Sequence, residues 1–152
     1  MTATDDDARQ AAVTALVRLA ASPHHRDRAD AGRGLASLAD VSAARPVLLK
    51  LVLDPADTFV TQETAEALFR RGDALGFAVV SAAVTAADDE QADHLDAALH
   101  AVLGVFERER DAAVRIFREL TQDPAQPAEV RDGAASLVAD LTALRPSLSV
   151  LN

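Results

Sequence analysis

The chain has 152 residues, of which 49% are hydrophobic and only 3% aromatic, and its formal net charge at pH 7 is −9. It contains no cysteine, which excludes disulfide bonds, a thiolate nucleophile and a cysteine-based zinc site. The acidic balance argues against nucleic acid as a partner, because a negatively charged surface repels phosphate backbones.

The negative charge is concentrated in the middle of the chain. Residues 54–100 carry ten acidic and two basic residues, a net charge of −8, whereas residues 1–53 and 101–152 carry +1 and −2. Neither lysine nor arginine occurs between Arg71 and Arg108. If charge steers a partner to this protein, the sequence predicts that the partner is basic.

Apolar residues recur at helical spacing along almost the whole chain, and no stretch shows the alternation typical of a strand. The acidic segment Asp5–Asp7 suits the start of the first helix and does not resemble a signal peptide. The longest uncharged run, Ala74–Ala87, is too short to span a bilayer and predicts a buried helix. We therefore expect a soluble, cytoplasmic protein.

The spacing predicts nine short helices joined by connections of a few residues. In chain order they contain Leu16 and Leu19, Leu35 and Leu38, Leu48 and Leu51, Val60 and Leu68, the Ala74–Ala87 run, Leu95 and Leu99, Val114 and Phe117, Val130 and Leu137, and a last helix beginning at about Leu144.

The order of elements repeats. The pattern of helix, short turn, helix and Asp-rich turn begins at about residues 27, 58, 91 and 127. A fixed period of this length is typical of an α-solenoid, in which each helix pair buries its apolar face against its neighbours.

Two matching stretches lie three such steps apart: ADVSAARP at 39–46 and ADLTALRP at 139–146. We interpret them as the same turn and helix start. Ser42 and Thr142 are the expected helix caps, and each stretch ends in a proline that suits the first turn of the following helix.

Residues 45–73, RPVLLKLVLDPADTFVTQETAEALFRRGD, contain an early proline, a leucine-rich run, an Asp-containing turn and then a valine, two small residues and a leucine. These residues are Pro46, Leu48, Leu51, Asp54, Val60, Thr64, Ala65 and Leu68. The segment resembles a HEAT-like repeat of the kind named after bilin lyases. Fainter copies of the pattern occur at Arg28, Ala31 and Leu35 and at Val130, Ala134 and Val138.

The resemblance implies one all-α domain over residues 1–152, built as a right-handed α-α superhelix (a HEAT/armadillo-like solenoid) of about four helix pairs. The second helix of each pair would line a concave binding surface. The implied units are an N-terminal capping helix in residues 1–26 and repeats at about 27–57, 58–90, 91–126 and 127–152.

The resemblance to solenoids of this kind implies a binding scaffold. We therefore expect a non-enzymatic scaffold, adaptor or regulator that binds a protein or peptide. We expect it to use neither a cofactor nor a metal. By this analogy, the basic residues expected to face the partner are Arg45, Lys50, Arg115 and Arg118. The acidic residues expected to form a ridge at the edge of the surface are Asp88, Asp89, Glu90, Asp93 and Asp96.

Other functions remain open. An acidic inhibitor, or an immunity-type protein that neutralises a basic target such as a nuclease, is a narrower form of the same binding function. A cofactor-attachment enzyme or chaperone like the bilin lyases needs an acid or a base, for which His94 and His100 are the candidates. A DNA-repair glycosylase built on HEAT-like repeats needs a basic groove, which the acidic composition disfavours.

The candidate residues also have ordinary structural explanations. Carboxylates in the first turn of a helix satisfy free N–H groups and oppose the helix dipole, which explains Asp88–Glu90 but neither Asp93 nor Asp96. His94 and His100 each follow an acidic residue by four positions, a spacing that can hold a metal but is common on helix surfaces. Six residues apart, the two histidines should lie on different faces of their helix.

Overall fold

A computed structural model describes residues 2–146 and 148, and within this range the fold is all-α, as the apolar spacing predicts. The β-type backbone pairing in this part of the chain is a single parallel bridge between Phe106 and Leu148. The helices are α1 (Ala3–Ala20), α2 (His25–Ser37), α3 (Ala44–Val52), α4 (Thr58–Arg71), α5 (Ala74–Ala86), α6 (Asp89–Leu103), α7 (Glu107–Gln122) and α8 (Ala128–Ala143).

Local sequence sets the ends of several helices. At the start of α1, the hydroxyl of Thr2 accepts a hydrogen bond from the backbone N–H of Asp5, and the Asp5 carboxylate accepts one from the N–H of Thr2. Helix α4 ends at Gly72, whose φ of 71° is left-handed and rarely adopted by residues with a side chain. Asp73 then begins α5 by accepting a hydrogen bond from the N–H of Gly76. The predicted start of the first helix at the acidic segment is confirmed.

The helices pack in two rows. The first row consists of α2, α4 and α6 side by side, with α1 packed against α2 at one end. In the second row α3 packs against α5, α5 against α8, and α8 against α7. The core between the rows is built mainly from alanine, leucine and valine, whose small size lets helices approach closely.

Helix α5 lies at the centre of the fold, in contact with α3, α4, α7 and α8. Phe77, Val80 and Ala83 on this helix are each 1% exposed or less, which confirms the prediction of a buried helix at Ala74–Ala87. In the part of the chain that the structure describes, no helix is both long and apolar enough to cross a membrane.

Three phenylalanines connect the two rows. Phe77 of α5 stacks on Phe117 of α7, with ring centroids 4.3 Å apart and ring planes inclined by 6°. Phe77 also meets Phe69 of α4 edge to face at 6.3 Å. Since Phe69 belongs to the first row and the other two to the second, this buried cluster holds the rows together.

Helix α8 leaves the order expected of a regular solenoid. Stacked helix pairs would place α8 beside α6, but its main contacts are with α5 and α7. At Gly133, a Cβ atom would lie only 1.8 Å from the carbonyl oxygen of Ser81 on α5. The two helix backbones therefore touch at a position where no side chain fits. A groove remains between α6 and α8.

The predicted ninth helix does not begin at Leu144. Leu144 ends α8 in an extended conformation, and the two residues after it are not helical. Pro146 explains the break, because the residue before a proline is disfavoured in a helical conformation. Leu148 then forms the parallel bridge noted above. The rest of that predicted helix, residues 147 and 149–152, lies outside the described residues.

The two matching stretches consequently differ in structure, and the interpretation of both as one turn and helix start is wrong. In 39–46 the chain leaves α2, turns and begins α3, although Ser42 does not cap it. Most of 139–146 instead belongs to α8, where the hydroxyl of Thr142 donates to the carbonyl oxygen of Val138 at 2.9 Å.

The close crossing of α8 and α5 predicts a strong effect of Gly133→Ala. The new methyl group meets backbone atoms of Ser81, so the helices must separate, and we expect the free energy of unfolding to fall by about 2–3 kcal/mol. Gly34→Ala is the matched control, because its methyl group meets only the movable end of the Leu16 side chain. Urea denaturation measures both. Equal effects of the two substitutions would contradict this account of the crossing.

Candidate functional site

The five acidic residues predicted to form a ridge lie at or near the start of α6. Asp88 is the N-cap: its carboxylate accepts a hydrogen bond from the N–H of Gln91 at 2.8 Å, and the Gln91 side chain accepts one from the N–H of Asp88 at 3.0 Å. The Gln91 amide also donates to the carbonyl oxygen of Leu53, which ties α6 to the end of α3. Asp88 is therefore structural, and Asp89 and Glu90 occupy the first turn, where carboxylates favour the helix.

Asp93 and Asp96 lie beyond the first turn, on the exposed side of α6. At 3.6 residues per turn, Asp89, Asp93 and Asp96 fall within about 60° of one another, and we call these three residues the acidic face of α6. Asp96 lies 3.4 Å from the ring of His100, one turn further on. Among residues 2–146 and 148, no arginine or lysine forms an ion pair with the acidic face.

Acidic residues on the neighbouring helix α4 are paired. Glu63 binds Arg33 of α2, and Glu66 accepts a hydrogen bond from Arg70, one turn along α4, at 3.1 Å. The pairing stops at α6, because α5 and α6 contain neither arginine nor lysine. Carboxylates without such partners repel one another and create a negative potential that attracts cations.

The groove between α6 and α8, which we call the α6–α8 groove, continues from the acidic face. Its volume is about 210 Å³. The floor is apolar and consists of Val84 of α5, Leu95 and Leu99 of α6, and Leu137 of α8, whereas Asp96 of α6 and Asp140 of α8 are the acidic lining residues.

Asp140 ionises less readily than an ordinary aspartate. Burial raises its pKa, and the negative charge of Asp96 raises it further, while His100 acts in the opposite direction and offsets part of the shift. The groove thus holds a carboxylate, that of Asp140, whose ionisation is disfavoured by burial and by the charge of Asp96.

A second acidic depression, of about 280 Å³, lies between the α3–α4 connection and the start of α6. Asp57, Asp88 and Glu90 are among its lining residues. Asp57 caps α4 by accepting a hydrogen bond from the N–H of Phe59 at 2.9 Å. The negative surface therefore extends from α6 to the beginning of α4.

The structure places the four predicted basic residues in two separate regions. Arg45 and Lys50 lie on α3, and Arg115 and Arg118 lie exposed on α7, at the other end of the second row. Arg45 donates a hydrogen bond to the carbonyl oxygen of Ala39 at 2.9 Å, so it supports the turn between α2 and α3. The four side chains do not form one surface, and their contact with a partner stays a prediction.

A cavity of about 450 Å³ lies between α1 and α3, and Lys50 is one of its lining residues. Arg28 and Asp54 also line it as a buried ion pair, with Nε and Oδ2 2.7 Å apart and side chains only 12% and 5% exposed. Asp54 accepts two further hydrogen bonds, from the backbone N–H groups of Ala56 and Asp57. This pair joins α2 to the α3–α4 connection.

The hydrogen bonds of Asp54 decide its ionisation. Burial by itself would raise the pKa of Asp54, but the hydrogen bonds from Arg28 and from the N–H groups of Ala56 and Asp57 outweigh burial and hold that pKa below its ordinary value. Arg28 and Asp54 neutralise each other's charge within the pair. We therefore assign Arg28 and Asp54 a structural role.

The two histidines of α6 lie on different sides of the helix, as predicted. His94 is half-buried, with its Nδ1 2.9 Å from the side-chain oxygen of Gln62 on α4, whereas His100 is exposed. Within the described residues, no group of three or more histidine and acidic side chains is arranged to hold a metal ion.

Sequence reasoning missed Asp57 and Asp140 as parts of the acidic surface. Asp57 belongs to a segment interpreted only as a turn, and Asp140 to the matching stretch at 139–146. The sequence does place Ser136 and Asp140, which are four residues apart, on the same face of α8, but this spacing alone does not mark a site. The sequence does not reveal that this face lies across from Asp96.

Neither a protein-family model nor a curated protein matches the chain. One solved structure resembling it is the crystal structure of an engineered protein from the Northeast Structural Genomics Consortium, with 24% sequence identity and a TM-score of 0.40. The match covers 86% of this chain and 62% of the engineered protein, so the chain spans less than two thirds of its length. A likeness this distant carries no conclusion about function.

The lowered pKa of Asp54 predicts a pH-dependent effect of Asp54→Asn. At pH 7 the substitution leaves Arg28 buried without its counter-charge, and we expect a loss of about 3 kcal/mol in the free energy of unfolding. The ionised carboxylate stabilises the fold fully above its unfolded pKa, about 3.9, and this contribution is lost as pH falls through the lower folded pKa. The difference between wild type and variant should therefore shrink in acid.

Urea denaturation at several pH values measures this difference. Asp40→Asn is the control, because the Arg9–Asp40 pair is exposed and should contribute less than about 1 kcal/mol. A constant difference between wild type and Asp54→Asn from neutral to acidic pH would contradict the assigned ionisation of Asp54.

Asp140→Asn should have the opposite sign. Because the pKa of Asp140 is raised in the folded protein, its negative charge destabilises the fold at neutral pH, and this cost disappears as pH falls through the folded pKa. We expect the variant to unfold at a higher urea concentration than wild type at pH 7, and at the same concentration below about pH 3, where the carboxyl is protonated in both the folded and the unfolded state. A variant less stable than wild type at pH 7 would refute the assignment.

Proposed function

We propose that this protein is a non-enzymatic scaffold of HEAT-like helix pairs that binds a basic protein or peptide at the acidic face of α6. The observation that supports the proposal most directly is the contrast between α4 and α6. Glu63 and Glu66 are paired with arginines, whereas Asp89, Asp93 and Asp96 are exposed and have no arginine or lysine partner among the described residues.

A partner of opposite charge gains from this arrangement in two ways. The summed negative potential of the acidic face and the neighbouring depression speeds its approach. On contact, its cations replace water and salt ions around carboxylates that have no arginine or lysine partner among the described residues, which lowers their mutual repulsion. Binding of this kind weakens as the salt concentration rises, because the charges are exposed.

The side-by-side packing of α2, α4 and α6 supports a scaffold. Adjacent helices in a row present a continuous surface broader than any single helix, the property that solenoids use in binding. In the proposed superhelix this row consists of the leading helices of three pairs, so the proposed site lies on the opposite row from the second helices that the resemblance implies as the binding surface. An inhibitor of a basic enzyme such as a nuclease is the narrower form of this function, and the strongly acidic segment 54–100 supports it.

Charge reversal of the acidic face tests the proposal. The double variant Asp93→Lys and Asp96→Lys spares the capping residue Asp88 and so should fold normally. Used as bait in a lysate of the source organism, wild type should retain one basic protein in stoichiometric amount. We expect the variant to bind that protein at least about tenfold more weakly, because like charges then face each other.

The matched control carries the same change in net charge away from α6 and outside any first helical turn, as Asp7→Lys on α1 and Glu119→Lys on α7, and should bind like wild type. Equal losses in the two double variants would indicate a general effect of net charge rather than a site on α6. Retention of an acidic or neutral protein that both variants bind as well as wild type would overturn the proposal.

A further inference from the structure

The α6–α8 groove is small for a ligand site. Its volume of about 210 Å³ lies below the roughly 300–1,000 Å³ of pockets that enclose small molecules. It offers room for a single long side chain of another protein. The question is which side chain matches its lining.

The lining combines an apolar floor with two carboxylates. Val84, Leu95 and Leu137 offer contacts to a methylene chain, and Asp96 and Asp140 offer oxygen acceptors. Arginine and lysine have this division, since they bury an aliphatic stem on apolar surface and keep a charged end among polar groups. Arginine fits two carboxylates better than lysine, because its planar guanidinium presents five N–H donors in a fixed fork.

Charge complementarity supports a cation as the occupant. None of the residues that line the groove is basic. Partial burial and the charge of Asp96 raise the pKa of Asp140 above that of an ordinary aspartate. A guanidinium between the two carboxylates would remove their mutual repulsion and supply hydrogen-bond donors.

We propose that the α6–α8 groove receives an arginine side chain of the basic partner. The aliphatic stem lies on Val84, Leu95 and Leu137, and the guanidinium donates hydrogen bonds to Asp96 and Asp140. This inference rests on the proposed function in taking the partner to be basic. It adds a defined site to a surface otherwise described only by its charge.

The proposed arginine site predicts a combination of binding and stability changes that a purely structural role of Asp140 does not predict. A residue kept for stability weakens the fold when replaced. Asp140→Asn should instead bind arginine less well while resisting urea better than wild type at neutral pH, since function and stability act in opposite directions at such positions.

The experiment is a nuclear magnetic resonance titration of the full chain with N-acetyl-arginine amide. We expect saturable shifts confined to the methyl groups of the groove floor, those of Val84, Leu95, Leu99 and Leu137. N-acetyl-citrulline amide, of similar shape but uncharged, is the ligand control and should give no saturable shifts. Asp140→Asn should weaken binding roughly tenfold, as expected for loss of a charged hydrogen-bond acceptor.

Asp132→Asn is the protein control, because Asp132 is exposed on α8 outside the lining of the groove, and it should bind like wild type. Shifts spread over the whole acidic surface, equal binding of citrulline, or unchanged binding in Asp140→Asn would each overturn the inference. The proposed function is tested separately: a basic partner that Asp140→Asn retains and the α6 double variant loses refutes only the arginine site.

A second copy of this chain is the competing occupant, since Arg115 and Arg118 lie exposed on α7. Light scattering across a range of protein concentrations measures self-association. A dimer that Asp140→Asn dissolves would place an arginine of a second copy in the groove and overturn the assignment to a separate partner. A monomer at all concentrations agrees with the proposal.

Discussion

The contact between Gly133 and the carbonyl oxygen of Ser81 decides where α8 lies, and the rest of the surface depends on it. Ser81 directs its own hydroxyl to the carbonyl oxygen of Phe77 at 2.7 Å, so only backbone meets backbone at the crossing. This close approach draws α8 into the row of α5 and α7. The position beside α6 that a regular repeat would fill is left as the α6–α8 groove.

The pairing of charges differs between the neighbouring helices α4 and α6. Arginines neutralise the carboxylates of α4, but none is present on α5 or α6. A fold selected for stability alone would have little reason to keep Asp96 and Asp140 along one groove, where burial and the charge of Asp96 make the ionisation of Asp140 less favourable. Stability given up at one place in a protein is common at functional surfaces.

Local features of this fold were predictable from the sequence, and features set by packing were not. The boundary at Gly72 and Asp73 depends on a left-handed residue and an adjacent cap, both readable from a few letters. The position of α8 depends on a contact between residues 52 positions apart, Ser81 and Gly133, which no local pattern records. The same difference applies to the acidic residues. Asp93 and Asp96 could be recognised from the sequence of α6, whereas Asp140 lies near them only because of the position of α8.

The side chain of Gln91 gives the acidic face a property that charge alone does not provide. By bonding both to the N-cap of its own helix and to the carbonyl oxygen of Leu53, it fixes how α6 is placed relative to α3. The backbone that carries these carboxylates is therefore held in place by hydrogen bonds within the fold. For the partner proposed above, this means that no loop has to become ordered before contact, which lowers the entropy lost on binding.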